Sequence, residues 1–179
     1  NEVTFLCILK ACGSTRSIKK GEEIEAEVRR QGLLGKSIIL GNALVDMYAK
    51  CGMLTKAQQV LEELPTRNTV SWNVMIAGYA RRGQGYRALN CFQQMQSEGL
   101  SPDNVSFLSV LTACSRSGLL SEAEMLFRSM MITPNLEHNA CMVTTFGRAG
   151  YFEKAISLIK RVSSSDYTSV WFALLNGCR

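Results

Sequence analysis

The chain has 179 residues, 46% of them hydrophobic and 20% charged, with a net charge of +5. This composition is globular, not disordered, and no apolar run approaches the length of a membrane-spanning helix. Seven dispersed cysteines without Cys-x-x-Cys, and His138 as the single histidine, exclude the usual zinc spacings and suit a reducing compartment, while the modest basic bias permits a phosphate-bearing partner without requiring one.

The dominant signal is a repeat. Gly52, Gly83, Gly118 and Gly150 stand 31, 35 and 32 residues apart, and each is followed five residues on by an alanine: Ala57, Ala88, Ala123 and Ala155. A period in that range predicts stacked helical hairpins, with glycine at the turn and alanine where the second helix lies close to the first. The chain opens at Asn1 and stops in mid-pattern, so we read it as a piece of a longer array in which the lack of a targeting segment says nothing about location.

In the first unit, residues 2–37, an apolar stretch over 3–9 has helical spacing and ends near Ala11-Cys12-Gly13. A second helix is predicted over 17–30, with Ile24 and Val28 on its apolar face. Arg16 and Gly21 stand there in place of the later Gly and Ala. The second unit, 38–68, predicts helices over 41–50 and 55–64, with Thr55 as N-cap and Pro65 as a stop. The third, 69–103, opens near Ser71 and carries Ala88, Leu89, Phe92 and Met95 along its second helix. The fourth, 104–135, begins Asn104-Val105-Ser106-Phe107-Leu108, echoing Glu2-Val3-Thr4-Phe5-Leu6, and looks short near 130–133. The fifth, 136–167, ends in the polar Ser163-Ser164-Ser165-Asp166. Residues 168–179 supply one more first helix.

Cys12, Cys51, Cys114 and Cys178 fall near the ends of first helices and suit small core packing. Phe5, Trp72, Phe107 and Trp171 share one position of their units and are expected to wedge between neighbours. Lys50, Arg81, Arg116 and Arg148 each lie two residues before the turn glycine. Their recurrence draws a row of positive charge suited to phosphates, although cations there also complement a helix C-terminus. The expected fold is all-α: an α-solenoid of stacked antiparallel helix pairs forming a right-handed superhelix, with first helices on one wall and second helices on the other.

Several segments carry a family resemblance. Asn42-Ala-Leu-Val-Asp-Met-Tyr-Ala-Lys-Cys-Gly52, Val70-Ser-Trp-Asn-Val-Met-Ile-Ala-Gly-Tyr-Ala80, Val110-Leu-Thr-Ala-Cys-Ser115 and Gly147-Arg-Ala-Gly150 resemble the plant pentatricopeptide repeat family. The varying unit length is similar to its subclass of rotating long, short and standard repeats. On that pattern 2–37 and 104–135 are long, 38–68 and 136–167 short, and 69–103 standard. Residues 168–179 resemble the start of the extension (E-type) motif that follows such arrays.

The resemblance implies single-stranded RNA as partner, read at about one base per repeat by the fifth and last residues of each unit. Those residues are Leu6 with Ser37, Asn42 with Asn68, Asn73 with Asp103, Leu108 with Asn135, and Ala140 with Tyr167. The second residues Val3, Ile39, Val70 and Val105 would flank the bases. A carboxamide both donates and accepts, so the asparagines suit a Watson–Crick edge. By resemblance, Asn73 with Asp103 favours uracil and Asn42 with Asn68 a pyrimidine, while Leu6, Leu108 and Ala140 choose weakly or not at all. On the residues alone, Asn42 and Asn73 equally suit helix capping or a solvated polar position.

The subclass usually guides cytidine-to-uridine editing in mitochondria or chloroplasts. Editing needs a zinc deaminase with His-x-Glu and Cys-x-x-Cys, and neither occurs in this sequence. The chain is therefore expected to be non-enzymatic, with no cofactor and no membrane, and to rely on editing-complex proteins or a deaminase domain for catalysis. The alternative is a tetratricopeptide-like scaffold for protein partners, which keeps a steadier period of about 34 residues. Self-association through uncapped ends is a further expectation.

Overall fold

The computed structural model describes residues 2–162 and 167–177. The expectations placed on residues 163–166, on Cys178 and on the Tyr167 side chain lie outside the described residues. The described chain forms α1 (Glu2–Thr15), α2 (Ile18–Arg30), α3 (Ile38–Cys51), α4 (Leu54–Glu63), α5 (Thr69–Arg81), α6 (Gly85–Ser97), α7 (Asn104–Ser117), α8 (Leu120–Arg128), α9 (Leu136–Arg148), α10 (Phe152–Ile159) and α11 (Tyr167–Gly177).

The odd-numbered helices pack in succession, α1 on α3, α3 on α5, α5 on α7, α7 on α9 and α9 on α11. Each even-numbered helix packs on its own partner and on the next odd helix. The result is the expected two-walled array of stacked helix pairs. Even helices are linked mainly by side chains: Arg29 of α2 reaches Glu63 of α4 at 2.7 Å, and Lys154 of α10 reaches Glu124 of α8 at 2.5 Å. Such exposed ion pairs contribute little each, so the buried helix faces carry most of the stability.

The turns follow from backbone sterics. Gly52 leaves α3 at φ 83° and Gly118 leaves α7 at φ 70°, conformations that cost a side chain roughly 1–2 kcal/mol. Ala57, Ala88, Ala123 and Ala155 are completely buried, so the second helix approaches the first over a methyl group. In the first unit the two roles are exchanged. Arg16 takes the left-handed conformation at φ 56°, and a Cβ on Gly21 would meet Met47 Sδ at 2.5 Å. The Met47 side chain occupies the space that a Cβ at Gly21 would take.

Three local expectations are corrected. α3 begins at Ile38, not near 41, and α5 at Thr69, because the residues before them cap the chain earlier. Thr55 is not an N-cap: the Gly52 turn already starts α4 at Leu54, with Met53 at the cap position and no side-chain cap bond. Trp171 is no wedge. Phe5, Trp72 and Phe107 are buried, Phe107 against Phe92 with ring centroids 5.3 Å apart, but Trp171 is 43% exposed. Among the described residues no second helix follows α11 to cover it.

Two core clusters run along the array, one from Phe5 to Ala113 and one from Leu111 to Leu174, with Leu89, Leu126 and Met130 packed against both. The short fourth unit lies at their junction. α8 has only nine residues and buries only Ala123, which opens a cleft of about 650 Å³ beside Phe127, Met130, Met142 and Leu158.

Candidate functional site

Each first helix from α3 to α9 is started by the side chain just before it. The Ser37 hydroxyl accepts the Leu40 N–H at 3.3 Å, and Asn68 Oδ1 accepts the Ser71 N–H at 3.0 Å. Asp103 Oδ1 accepts the Ser106 N–H at 2.8 Å, and Asn135 Oδ1 accepts the His138 N–H at 3.1 Å. In the last three the third helical residue answers. Ser71 Oγ accepts the Asn68 N–H, Ser106 Oγ the Asp103 N–H, and His138 Nδ1 the Asn135 N–H, at 3.1, 3.1 and 3.2 Å. These reciprocal pairs satisfy amide donors that have no partner within the helix.

The cap residue is also the last residue of the preceding unit, so it lies beside the preceding first helix. Asn42 Nδ2 donates to Asn68 Oδ1 at 3.4 Å, and Asn73 Nδ2 donates to Asp103 Oδ1 at 3.0 Å. The fold thus brings together two residue pairs that are 26 and 30 positions apart in sequence. Capping is not what Asn42 and Asn73 do. Both lie past the first turn of their helices, and the cap belongs to Ser37 and Asn68.

The two pairs are not equivalent. Asn73 is only 7% exposed, and its Oδ1 accepts the hydroxyl of the fully buried Ser106 at 2.6 Å. Asn42 Oδ1 is buried and has no hydrogen-bond partner among the described residues. Burial pushes the Asp103 carboxyl up, but the Ser106 N–H, the Asn73 amide and the Ser106 hydroxyl together hold it below the ordinary aspartate value. It is therefore an acceptor at neutral pH.

The remaining positions behave differently. The Ser37 hydroxyl donates to the Glu2 carboxylate, while Leu6 packs against the core. Leu108 and Ala140 are half-buried. Val3, Ile39, Val70 and Val105 are 64%, 60%, 54% and 55% exposed. Each lies three residues before the fifth residue of its unit, hence on the same helix face. The row of cations divides as well. Lys50 is paired with Asp46 at 2.6 Å, and Arg116 Nη1 donates to the Ala80 and Arg81 carbonyls at the C-terminus of α5, at 3.5 and 3.4 Å. Arg81 and Arg148 are exposed, and neither forms an ion pair among the described residues.

Sequence reasoning passed over Ser71, Ser106 and His138. The signal was present: a polar residue three places after each Asn or Asp cap. His138 is completely buried, and its Nε2 lies 3.0 Å from the Asn104 carbonyl. Because Nδ1 accepts from Asn135, Nε2 carries the proton and donates it there. Among the described residues no group of three or more His, Cys, Asp or Glu is arranged to hold a metal ion, and no helix is long and apolar enough to cross a membrane.

A wall of first helices, in which the caps of α3, α5 and α7 also bond to the previous first helix, defines a helical-hairpin repeat solenoid with its polar ladder on that wall. Comparison with known proteins identifies the repeat. Residues 67–116 match the PPR repeat family model, and 42–69, 105–131 and 141–167 each match the PPR repeat model. A putative pentatricopeptide repeat-containing protein of Arabidopsis thaliana is 42% identical over 99% of this chain. Two further Arabidopsis relatives, the chloroplastic DOT4 and a putative mitochondrial protein, are 40% and 36% identical over 100% and 99% of it. The chain spans 26%, 21% and 26% of those relatives. The chain belongs to the pentatricopeptide repeat family.

Solved structures share the fold. Maize PPR10 in complex with an 18-nt psaJ RNA element superposes with a TM-score of 0.78 at 20% identity, over 99% of this chain and 27% of that one. The PPR domain of Arabidopsis protein-only RNase P 1, in complex with tRNA, gives 0.64 at 16% identity, over 92% of this chain and 94% of that one.

Proposed function

We propose that the first-helix wall binds single-stranded RNA in a sequence-dependent way, at about one base per repeat. The observation that carries this reading is the ladder itself. Asn42 meets Asn68 and Asn73 meets Asp103 between successive first helices, and each pair has an exposed Ile or Val on the same face. Amide groups supply hydrogen bonds to a base edge, and the exposed aliphatic side chains supply apolar contacts to its faces. Solved relatives in complex with RNA support the partner class.

In this reading Leu6 with Ser37, Leu108 with Asn135, and Ala140 with Tyr167 face bases they choose weakly. Lys50, Arg81, Arg116 and Arg148 lie along the phosphates. The parent protein is then an organellar factor of the long, short and standard repeat subclass. It serves cytidine-to-uridine editing in a mitochondrion or chloroplast, and its chemistry is supplied by a deaminase domain or by editing-complex proteins. The names of the chloroplastic and mitochondrial relatives support the compartment.

The test is fluorescence anisotropy with labelled single-stranded RNAs at two salt concentrations. Binding that weakens steeply with salt and depends on sequence is expected. No binding, or binding indifferent to salt, overturns the reading and leaves a protein-binding scaffold.

A further inference from the structure

We infer that the array bends at one joint, between the third and fourth units: α6 and α8 separate on the second-helix wall while α5 and α7 stay tied and act as the pivot. This joint is independent of what the first-helix wall binds.

A clamp recurs on the second-helix wall. Arg16, Gly52, Gly83, Gly118 and Gly150 are the left-handed turn residues of the five units. Four places after the turn, units two, three and five carry a cation: Lys56, Arg87 and Lys154. Each cation lies over the aromatic ring four places before its own turn. Lys56 Nζ is 5.6 Å from the centre of the Tyr48 ring, Arg87 Cζ 6.0 Å from that of Tyr79, and Lys154 Nζ 5.6 Å from that of Phe146. The other half of the clamp stands six places after the turn of the preceding unit. Lys56 pairs there with Glu22 and Lys154 with Glu124, so α2 is joined to α4 and α8 to α10. Gln58 holds the corresponding position for α6, and its side-chain oxygen meets Cys91 Sγ of α6 at 4.0 Å.

The junction of α6 with α8 has none of these parts. The same positions hold Leu89 on α6, Glu122 on α8, and Cys114 in place of the ring. A leucine forms no ion pair, and a thiol offers a cation no ring face. Glu122 lies beside Cys114 instead: burial first, and then that carboxylate, push the thiol up. Glu122 is half-buried, and among the described residues it forms no hydrogen bond or ion pair. Nor does any hydrogen bond or ion pair join α6 to α8 among the described residues. α8 also has little buried support. It buries only Ala123, whereas α6 buries Ala88, Cys91, Phe92 and Met95. The two apolar cores part at the same level, within α7.

The opposite wall is tied at this junction. Asn73 donates to Asp103 at 3.0 Å, and Arg116 donates to the carbonyls that end α5. Ser117 Oγ accepts the Gly85 N–H at 2.8 Å and donates to the Gly83 carbonyl at 2.7 Å. In a stack held by nearest-neighbour interfaces, bending concentrates where an interface resists it least. An exposed ion pair adds little to stability, but a small rotation costs little as well, so clamps of that size decide which joint opens. Curvature can then change at one place while the first-helix wall keeps its register.

The experiment is double electron–electron resonance on the whole chain, with spin labels carried by a genetically encoded ketone side chain so that the seven cysteines are untouched. Label pairs at the exposed residues Gln59 and Gln93, Gln93 and Met125, and Met125 and Ser157 span α4–α6, α6–α8 and α8–α10. The α6–α8 distance distribution should be the broadest of the three. L89K sets a cation opposite Glu122 while its aliphatic stem keeps covering the apolar surface, and it should narrow that distribution to the width of the other two. L89M, without the charge, should leave it broad. K154Q removes the Glu124 pair and should broaden α8–α10 while α4–α6 stays unchanged. Circular dichroism shows which variants fold. An α6–α8 distribution no broader than its neighbours overturns the inference, as does a folded L89K that fails to narrow it. If L89K does not fold, K154Q decides: an α8–α10 distribution that stays narrow means the clamps do not hold the wall. RNA binding enters none of these measurements.

Discussion

A Cβ placed on Gly52 would lie 1.6 Å from Arg82 Nη2, so the guanidinium of one repeat rests on the turn of the repeat before it. Gly52 also has φ 83°, where an L side chain is strained whatever the space. G52A should lower the denaturation midpoint by an amount equivalent to about 1–2 kcal/mol from backbone strain, and it should also push Arg82 aside. Gly150 has φ 77° with nothing within 4 Å, so G150A carries strain alone. Circular dichroism in denaturant should show G52A at least as damaging as G150A. The difference between them should shrink in an R82A background, and the reverse order would mean that Arg82 does not rest on the turn.

Much of this fold was legible in the sequence, and the reason is local. A left-handed turn favours glycine and a close helix contact favours a small residue, so Gly52 with Ala57 and Gly118 with Ala123 announce themselves one pair at a time. Arg16 and Gly21 break that pattern in the first unit, and the contact at Gly21 is with Met47, which comes from the next repeat and is not visible locally. The site was half legible. The spacing and the family resemblance together named Asn73 and Asp103, but nothing in the spacing shows that Ser106 spans both while Ser71 reaches only one of its pair. That contact joins residues 33 positions apart and depends on how two first helices pack. Thr55 misled because cap preference was read without the geometry of the Gly52 turn. The recurrence of cations alone does not show that Lys50 is paired with Asp46, one helical turn away.

The caps should differ in strength. Asp103 accepts at 2.8 Å, is answered by Ser106 and also holds Asn73, whereas Ser37 makes one bond of 3.3 Å to its helix with no reciprocal partner. D103A should destabilise by about 1–2 kcal/mol and S37A by less than about 1 kcal/mol, with N68A and N135A between them. Thermal melts of the four variants test the order. An S37A loss equal to that of D103A would show that the reciprocal bond adds nothing.

Acid should weaken the array in a defined window. The Arg67 guanidinium holds Glu98 below the ordinary glutamate value, with the Trp72 indole N–H assisting, and Asp103 is held below the ordinary aspartate value. For carboxyls depressed in the folded state, the stabilisation is complete above the unfolded-state values of 4.5 and 3.8 and is lost as pH falls through the lower folded values. Melting temperature should therefore change little from neutral pH down to about pH 5 and decline below about pH 4. D103N should remove part of that decline. A midpoint of decline above pH 5 would point to some other group.

Thiol reactivity should follow burial. Desolvation pushes Cys91 and Cys114 up to about 12, and both are buried, whereas Cys7 is exposed on α1. Since the thiolate is the reactive form, brief iodoacetamide treatment of the folded chain at neutral pH should alkylate Cys7 and spare Cys91 and Cys114. Peptide mass mapping reads this directly. Early labelling of Cys114 would mean that the junction beside α8 opens on the timescale of the reaction.

The cations should separate by how committed they already are. Arg81 and Arg148 are exposed and make no ion pair among the described residues, while Lys50 must leave Asp46 to reach a phosphate. A side chain that contacts a phosphate accounts for about one unit of the salt slope, so R81A and R148A should each lower the slope of log affinity against log salt by roughly one. K50A should lower it by less, because the Asp46 pair offsets part of the gain. R116A should reduce the slope and also the melting temperature, since Arg116 donates to the carbonyls that end α5. Arg30 on α2, paired with Glu27 at 2.7 Å on the opposite wall, is the control, and R30A should leave the slope unchanged. If R30A lowers it as much as R81A does, attraction is spread over the net charge and the first-helix wall has no special place in phosphate contact.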